Sequence, residues 1–218
     1  MSTDTRDRLL DVAEELFAEK GVSGTSLRLL TRTAGTNLAA VHYHFGSKDG
    51  LLDAVLERRA DTLNHERLAD LACLEATCDD GPLPVEAILR AFILPGARMV
   101  EALQDDRRAM LVRLRGRLEA EAPELLEGLL RRHFGPVCAA FLEATQRALP
   151  TLDKELVAER FRFCLATLSL TFSDTFDLDT IPGHPPSGSH DALRAERLID
   201  FLAAGLASEP APSGRHPS

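Results

Sequence analysis

The sequence predicts an all-α protein, in which a small N-terminal three-helix unit precedes a larger helical bundle. Three observations predict it. Apolar residues recur at helical spacing along most of the chain, no stretch alternates long enough to make a strand, and Gly, Asn, Ser and Pro punctuate the periodic segments. With 218 residues, 44% hydrophobic and 27% charged, the chain can bury a sizeable core in one large domain or two small ones.

The elements follow in order. A first helix is expected from about Thr5 to Lys20, with Leu9, Val12, Ala13, Leu16 and Phe17 on one stripe and Gly21 as its left-handed stop. Thr25 can cap a second helix whose inner face is Leu27, Leu30 and Ala34, and Gly35 ends it. Asn37 can cap a third, about Leu38 to His44, and Ser47 a fourth carrying Leu51, Leu52, Val55 and Leu56 and reaching about Leu71. The run DDGPLP at 79–84 breaks the pattern. Beyond it, helices are expected near 85–103, 105–119, 123–133, 136–148, 153–176 and 189–207, with Pro95-Gly96 interrupting the first of them. Three prolines and two glycines make 177–188 a connection, and 208–218 reads as a frayed tail. The expected domains are therefore 1–47, 48–207 and the tail.

Charge narrows the function. The net charge of −9 by itself argues against a nucleic-acid partner, but the sign is uneven: residues 1–50 hold six basic and seven acidic side chains, and no Asp or Glu occurs between Glu19 and Asp49. Cys73, Cys78, Cys138 and Cys164 form no CxxC pair and read as buried free thiols. No apolar run approaches the roughly 18 residues of a membrane span, and the polar start MSTDTRDRLL is unlike a secretory signal, so a cytoplasmic protein without a membrane partner is expected. No GxSxG, HExxH or P-loop motif appears, which argues against an enzyme, and no cofactor is implied.

The acid-free window, TSLRLLTRTAGTNLAAVHYHFGSK, reads as two short helices around a tight turn followed at once by another helix start. That is what a helix-turn-helix needs to lie against a phosphate backbone. Val41 and Phe45 can face inward with Leu27 and Leu30, which leaves Leu38, Ala39, Ala40 and Tyr43 on or near the outward face. Small residues let such a helix sit deep in a major groove, and His42, Tyr43 and His44 can reach phosphates or bases. Thr25 and Arg28 stand at the start of the second helix, where backbone N–H groups favour an anion, and Lys48 stands in the first turn of the fourth. Ala39 and Ala40 read equally as plain helix formers. His42 and His44 are two apart and point to different helix faces, so they do not read as a metal pair.

Residues 5–56 resemble the N-terminal domain of the TetR family of bacterial transcriptional repressors, through LLDVAEELFAEKG, TSLRLLTRTAG and VHYHFGSKDGLL. The resemblance implies a double-stranded DNA operator, and carried over by position it marks Arg28, Asn37, Leu38, Ala39, Ala40, His42, Tyr43, His44 and Lys48 as DNA contacts. Three departures stand out: Thr36 replaces a turn valine, His42 replaces the usual Asn or Tyr, and Gly50 stands where a Glu would complete a capping box. NLAAVHYHFGSK with LERRADTLNHERL is further similar to the PsrA-type branch, which implies a fatty-acid or long-chain acyl-CoA effector.

A short reading helix covers few base pairs, so useful affinity calls for a homodimer. Leu156, Phe161, Leu165, Leu168 and Phe172, with Leu198, Phe201 and Leu202, offer two stripes for a four-helix interface as in the family; the alternative is that both stripes pack within the monomer. Phe92, Met99, Leu103, Met110, Leu111, Leu114, Phe134 and Phe141 supply apolar lining for an effector, or ordinary core. The arginines at 107, 108, 113, 115 and 117 read either as an anion receiver or as a solvated face paired with nearby acids. A helical adaptor that binds no DNA is the other class of reading.

Overall fold

The computed structural model describes residues 2–78, 81–103, 105–171 and 191–209, and the regular structure among them is entirely helical. The helices are α1 (Ser2–Gly24), α2 (Leu27–Thr33), α3 (Leu38–Phe45), α4 (Lys48–Thr77), α5 (Val85–Glu101), α6 (Asp105–Glu121), α7 (Pro123–Ala148), α8 (Lys154–Thr171) and α9 (Asp191–Ala207). Residues 172–190, which include the expected connection and the end of the expected 153–176 helix, lie outside the described residues, as does the tail from 210. No described helix is long and apolar enough to cross a membrane.

Local chemistry explains most boundaries. Gly21 leaves the helical region at φ 76°, ψ 168°, a conformation costly to any residue with a Cβ, and α1 breaks there. Ser26, rather than the expected Thr25, caps α2: its hydroxyl accepts from the Leu29 N–H at 3.1 Å. Asn37 caps α3 by accepting from the Ala40 N–H, and Ser47 caps α4 by accepting from the Gly50 N–H, each at 3.0 Å. Asp153 accepts from the Glu155 and Leu156 N–H groups at the start of α8.

Two helices run through prolines, one where Pro95-Gly96 was expected to interrupt it and one where two separate helices were expected. α5 continues past Pro95, and α7 joins the expected 123–133 and 136–148 segments across Pro136. A proline inside a helix costs about 3 kcal/mol. Burial on both sides outweighs that cost: Leu89, Phe92, Ile93 and Ala97 surround Pro95, and Leu129, Val137 and Phe141 flank Pro136.

The chain forms two compact units, residues 1–66 with 102–138, and residues 67–101 with 139–218. The first extends well past the expected boundary at residue 47. Its core joins Leu9, Leu10, Ala13, Phe17, Leu30, Val41, Leu51 and Leu52 to Leu114, Leu118, Leu126 and Leu129, because α6 packs along α1. Arg117 seals that contact by donating to the Ala18 and Glu19 carbonyls at the end of α1, at 3.1 and 2.8 Å. Glu14, with 1% of its side chain exposed, accepts from Arg58 at 2.8 Å and from Arg59 at 2.7 Å, pinning α1 to α4. Asp53 accepts from Arg132 and pairs with His133 at 2.7 Å, tying α4 to α7.

In the second unit α5 lies against α9, and α8 packs on α9 as well. Phe92 meets Phe141 edge-on with ring centroids 4.9 Å apart, and Phe161 at 6.1 Å. Arg67, itself buried, donates to the Phe92 carbonyl at 2.7 Å and stacks its guanidinium 4.1 Å above that ring.

Candidate nucleic-acid interface

Every residue expected to touch DNA lies in the first unit, on α2, on α3, at the start of α4 or in the turns beside them. α3 turns Val41 fully into the core and presents Leu38, Ala39, His42 and Tyr43 outward. Those four lie at i, i+1, i+4 and i+5, one continuous strip of the helix surface. Tyr43 is 82% exposed, far more than a tyrosine kept for packing. Ala40, expected on the outward face, is half-buried and packs against the core, whereas His42 is exposed. His44 is half-buried and stacks edge-on with Tyr43 at 4.9 Å, which holds the tyrosine ring upright.

Two expected phosphate contacts are placed differently. Thr25 is completely buried, and its hydroxyl donates to the Gly21 and Leu16 carbonyls at 2.8 and 3.1 Å. Its side chain therefore holds the α1–α2 corner and cannot reach a phosphate; the neighbouring Ser26 took the capping position that would have exposed it. Lys48 is half-buried and donates to the Val22 and Thr25 carbonyls at 2.8 and 3.3 Å. It donates to carbonyls at the α1–α2 corner, so only one of its three protons remains for another partner. Arg28 is exposed as expected, and Arg32, which sequence reasoning passed over, is exposed on the same helix. Asn37 spends its side-chain oxygen on the cap, which leaves its amide N–H₂ as the group able to donate outward.

Gly50 bears on the site in a way its helix propensity does not show. A Cβ built there would lie 2.1 Å from the Phe45 carbonyl oxygen, the last residue of α3. The close approach of α4 to the end of the reading helix thus depends on the missing side chain.

The residues expected to line an effector site are divided between the two units. Phe92 and Phe141 close on each other in the second unit, whereas Met110 and Leu114 pack into the core of the first. Met99 belongs to the second unit and Leu103 and Phe134 to the first, all half-buried; the Leu111 side chain lies outside the described residues. A cleft of about 390 Å³ in the second unit is lined by other residues: Glu75, Cys78, Leu83, Ala144, Arg147 and Pro150 among them. Of the arginine cluster, Arg115 pairs with Glu119, and Arg117 pairs with Glu121 while also donating to the α1 carbonyls; the side chains of the arginines at 107 and 108 lie outside the described residues.

The residues expected at a dimer interface differ in exposure. Phe161, Leu198 and Leu202 are buried inside the second unit, and Leu156, Leu165 and Leu168 are half-buried. The apolar side chains left outward are Phe163 and Leu170 on α8 and Leu193 and Phe201 on α9, with Phe201 70% exposed. Phe172 lies outside the described residues.

Residues 9–55 match the profile for bacterial regulatory proteins of the tetR family, and residues 90–205, more than half the chain, match the tetracyclin repressor-like C-terminal domain. The chain belongs to the TetR family. The HTH-type transcriptional regulator SrpR of Pseudomonas putida is 40% identical over 68 residues, covering 31% of this chain and 32% of that one. The HTH-type transcriptional regulator AcrR of Shigella flexneri is 41% identical over 54 residues, a quarter of each chain. The chain thus spans about a third and a quarter of the length of those two regulators. Over its whole length the fold is that of solved relatives: the fatty acid degradation regulator FadR of Bacillus halodurans superposes with a TM-score of 0.64, covering 94% of this chain and 97% of that one, at 15% identity.

Proposed function

We propose that this TetR-family protein is a dimeric, ligand-responsive repressor that binds a palindromic double-stranded DNA operator. The outward strip of α3 carries the reading: Leu38, Ala39, His42 and Tyr43 stand exposed on a helix whose other face is core, within a window free of carboxylates. Small and apolar groups at its start suit thymine methyls, Tyr43 and His42 suit polar base edges or phosphates, and Arg28 and Arg32 suit the flanking backbone. Two copies are needed to cover two half-sites about 34–36 Å apart. Phe163, Leu170, Leu193 and Phe201 supply the apolar surface for a four-helix contact between α8 and α9 of each protomer.

The effector we propose is a small apolar molecule, a fatty acid or long-chain acyl-CoA, on the strength of the PsrA-type sequence resemblance; the solved FadR relative supports the fold only. Ligand held only by a conformation with separated reading heads lowers operator affinity by linkage. The Phe92–Phe141–Phe161 cluster is closed, so a ligand entering there has to part those rings.

The test is binding of the purified protein to the DNA upstream of its own gene, titrated with salt and with long-chain acyl-CoA. Specific binding weakened by salt and released by acyl-CoA is the expected result. Binding indifferent to acyl-CoA removes the lipid effector and keeps the repressor. Absence of specific binding, there and in selection from random duplexes, removes the repressor reading.

A further inference from the structure

His42 is held in a way that decides what its exposed edge can recognise. Gly46 closes α3 at φ 73°, and the Gly46 carbonyl oxygen lies 2.9 Å from His42 Nδ1. A carbonyl can only accept, so Nδ1 carries the proton. The neutral ring then has its lone pair at Nε2, on the opposite edge. His42 is exposed on the strip it shares with Leu38, Ala39 and Tyr43, and among the described residues no group engages Nε2.

We propose that His42 is a specificity-determining residue, a tautomer-locked hydrogen-bond acceptor that selects a base carrying an amino group in the major groove. The proposal rests on the DNA-binding reading above. In the major groove adenine offers N6–H₂ and cytosine N4–H₂, whereas guanine offers O6 and thymine O4 at the equivalent central place. An acceptor at that place admits adenine or cytosine and repels guanine and thymine. The lock to Gly46 makes this a real discrimination. A freely rotating imidazole could offer either its N–H or its lone pair and would admit all four bases; the bond to the backbone removes the first option. The neighbours cannot supply the same selectivity, because Leu38 and Ala39 are apolar and the Tyr43 hydroxyl can turn to donate or accept.

The signature is an amino-against-keto degeneracy at one symmetric position of each half-site. It differs from the purine-against-pyrimidine or weak-against-strong degeneracy that shape or methyl contacts produce. The experiment is selection of duplexes from a randomised library by the full-length protein and by His42→Ala and His42→Lys, at pH 8, above the range where imidazole ordinarily gains a proton. The wild type is expected to prefer one amino/keto class about tenfold at a single position per half-site, the size of one discriminating contact. His42→Ala is expected to level that position and leave the rest of the consensus in place. His42→Lys, which can only donate, is expected to invert the class at the same position. A levelled position of any other degeneracy, no position altered by His42→Ala, or no inversion with His42→Lys overturns the assignment. Failure of the wild type to enrich any sequence overturns the DNA-binding reading itself, and is seen before any variant is compared.

Discussion

Arg59→Ala should be among the most damaging single changes at any arginine in the first unit. Arg59 donates through Nε and Nη2 to the same Glu14 oxygen, at 3.1 and 2.7 Å, while Arg58 holds the other oxygen. Glu14 has 1% of its side chain exposed, so an oxygen that loses these donors has no water to replace them. Hydrogen bonds to a charged group contribute about 1.5–3 kcal/mol each, and leaving a buried charge half-satisfied costs on the same order. Because Arg58 remains and the two lost bonds share one oxygen, the net loss is about 2–3 kcal/mol. For a chain of this size that lowers the melting midpoint by roughly 5–10 °C. The internal control is Arg131→Ala. Arg131 makes an ion pair with Glu127 at least as short, but it is 76% exposed. Such a pair contributes about 0–1 kcal/mol. Thermal melts followed by circular dichroism in the same buffer compare the two. If Arg59→Ala shifts the midpoint no more than Arg131→Ala, burial of Glu14 is not what gives this cluster its strength, and the account of how α1 is held to α4 fails.

Four further outcomes are expected. Thr36 has a buried hydroxyl oxygen without a hydrogen-bond partner among the described residues, so Thr36→Val should stabilise by about 1 kcal/mol, a gain a denaturant midpoint detects. Gly50→Ala should push α4 away from the Phe45 carbonyl and weaken operator binding at least about tenfold, although helix propensity alone favours Ala by about 1 kcal/mol; unchanged affinity in a binding titration would contradict the close approach. Burial raises the Cys164 thiol to about 11, so at pH 8 its thiolate is scarce and aromatic disulfide reagents should label exposed Cys73 first, with Cys164 reacting only on unfolding. Phe201→Asp should shift the protein to monomer in light scattering while melting is barely changed, whereas Phe161→Ala should lower stability by about 3–5 kcal/mol through a core cavity.

How much could be read from the chain depended on whether the deciding interaction was local. The caps at Asn37 and Ser47, the break at Gly21 and the core stripe of α1 involve groups within a few residues, and their residue types declare them. Thr25 and Ser26 are adjacent hydroxyls, either able to cap, and only the packing of the α1–α2 corner separates them. That Ala40 turns inward while His42 stays exposed depends on the rotation of α3 set by contacts with α1 and α2. Glu14 and Glu15 look alike in sequence, yet one is buried and the other exposed, because Arg58 and Arg59 arrive from more than forty residues away. For α8 and α9 the sequence left two readings open, because apolar residues on a helix face report that something covers it, not whether the cover is the same chain. Met110 and Leu114, read as effector lining or ordinary core, pack against the core of the first unit.

The discontinuity of the first unit bears on how such regulators can be recombined. Grafting only the first fifty or so residues onto another sensor would discard Leu114, Leu118, Leu126 and Leu129, which are all buried in the same core as Leu9 and Phe17. Four buried leucines contribute about 6–12 kcal/mol, the same order as the whole stability of a typical domain. A chimaera cut after the reading helix would therefore carry an oily scar where α6 and α7 used to lie, and should aggregate unless the recipient supplies matching leucines. A working exchange has to move residues 1–66 and 102–138 together, with three seams, one inside α4, one between α5 and α6 and one inside α7.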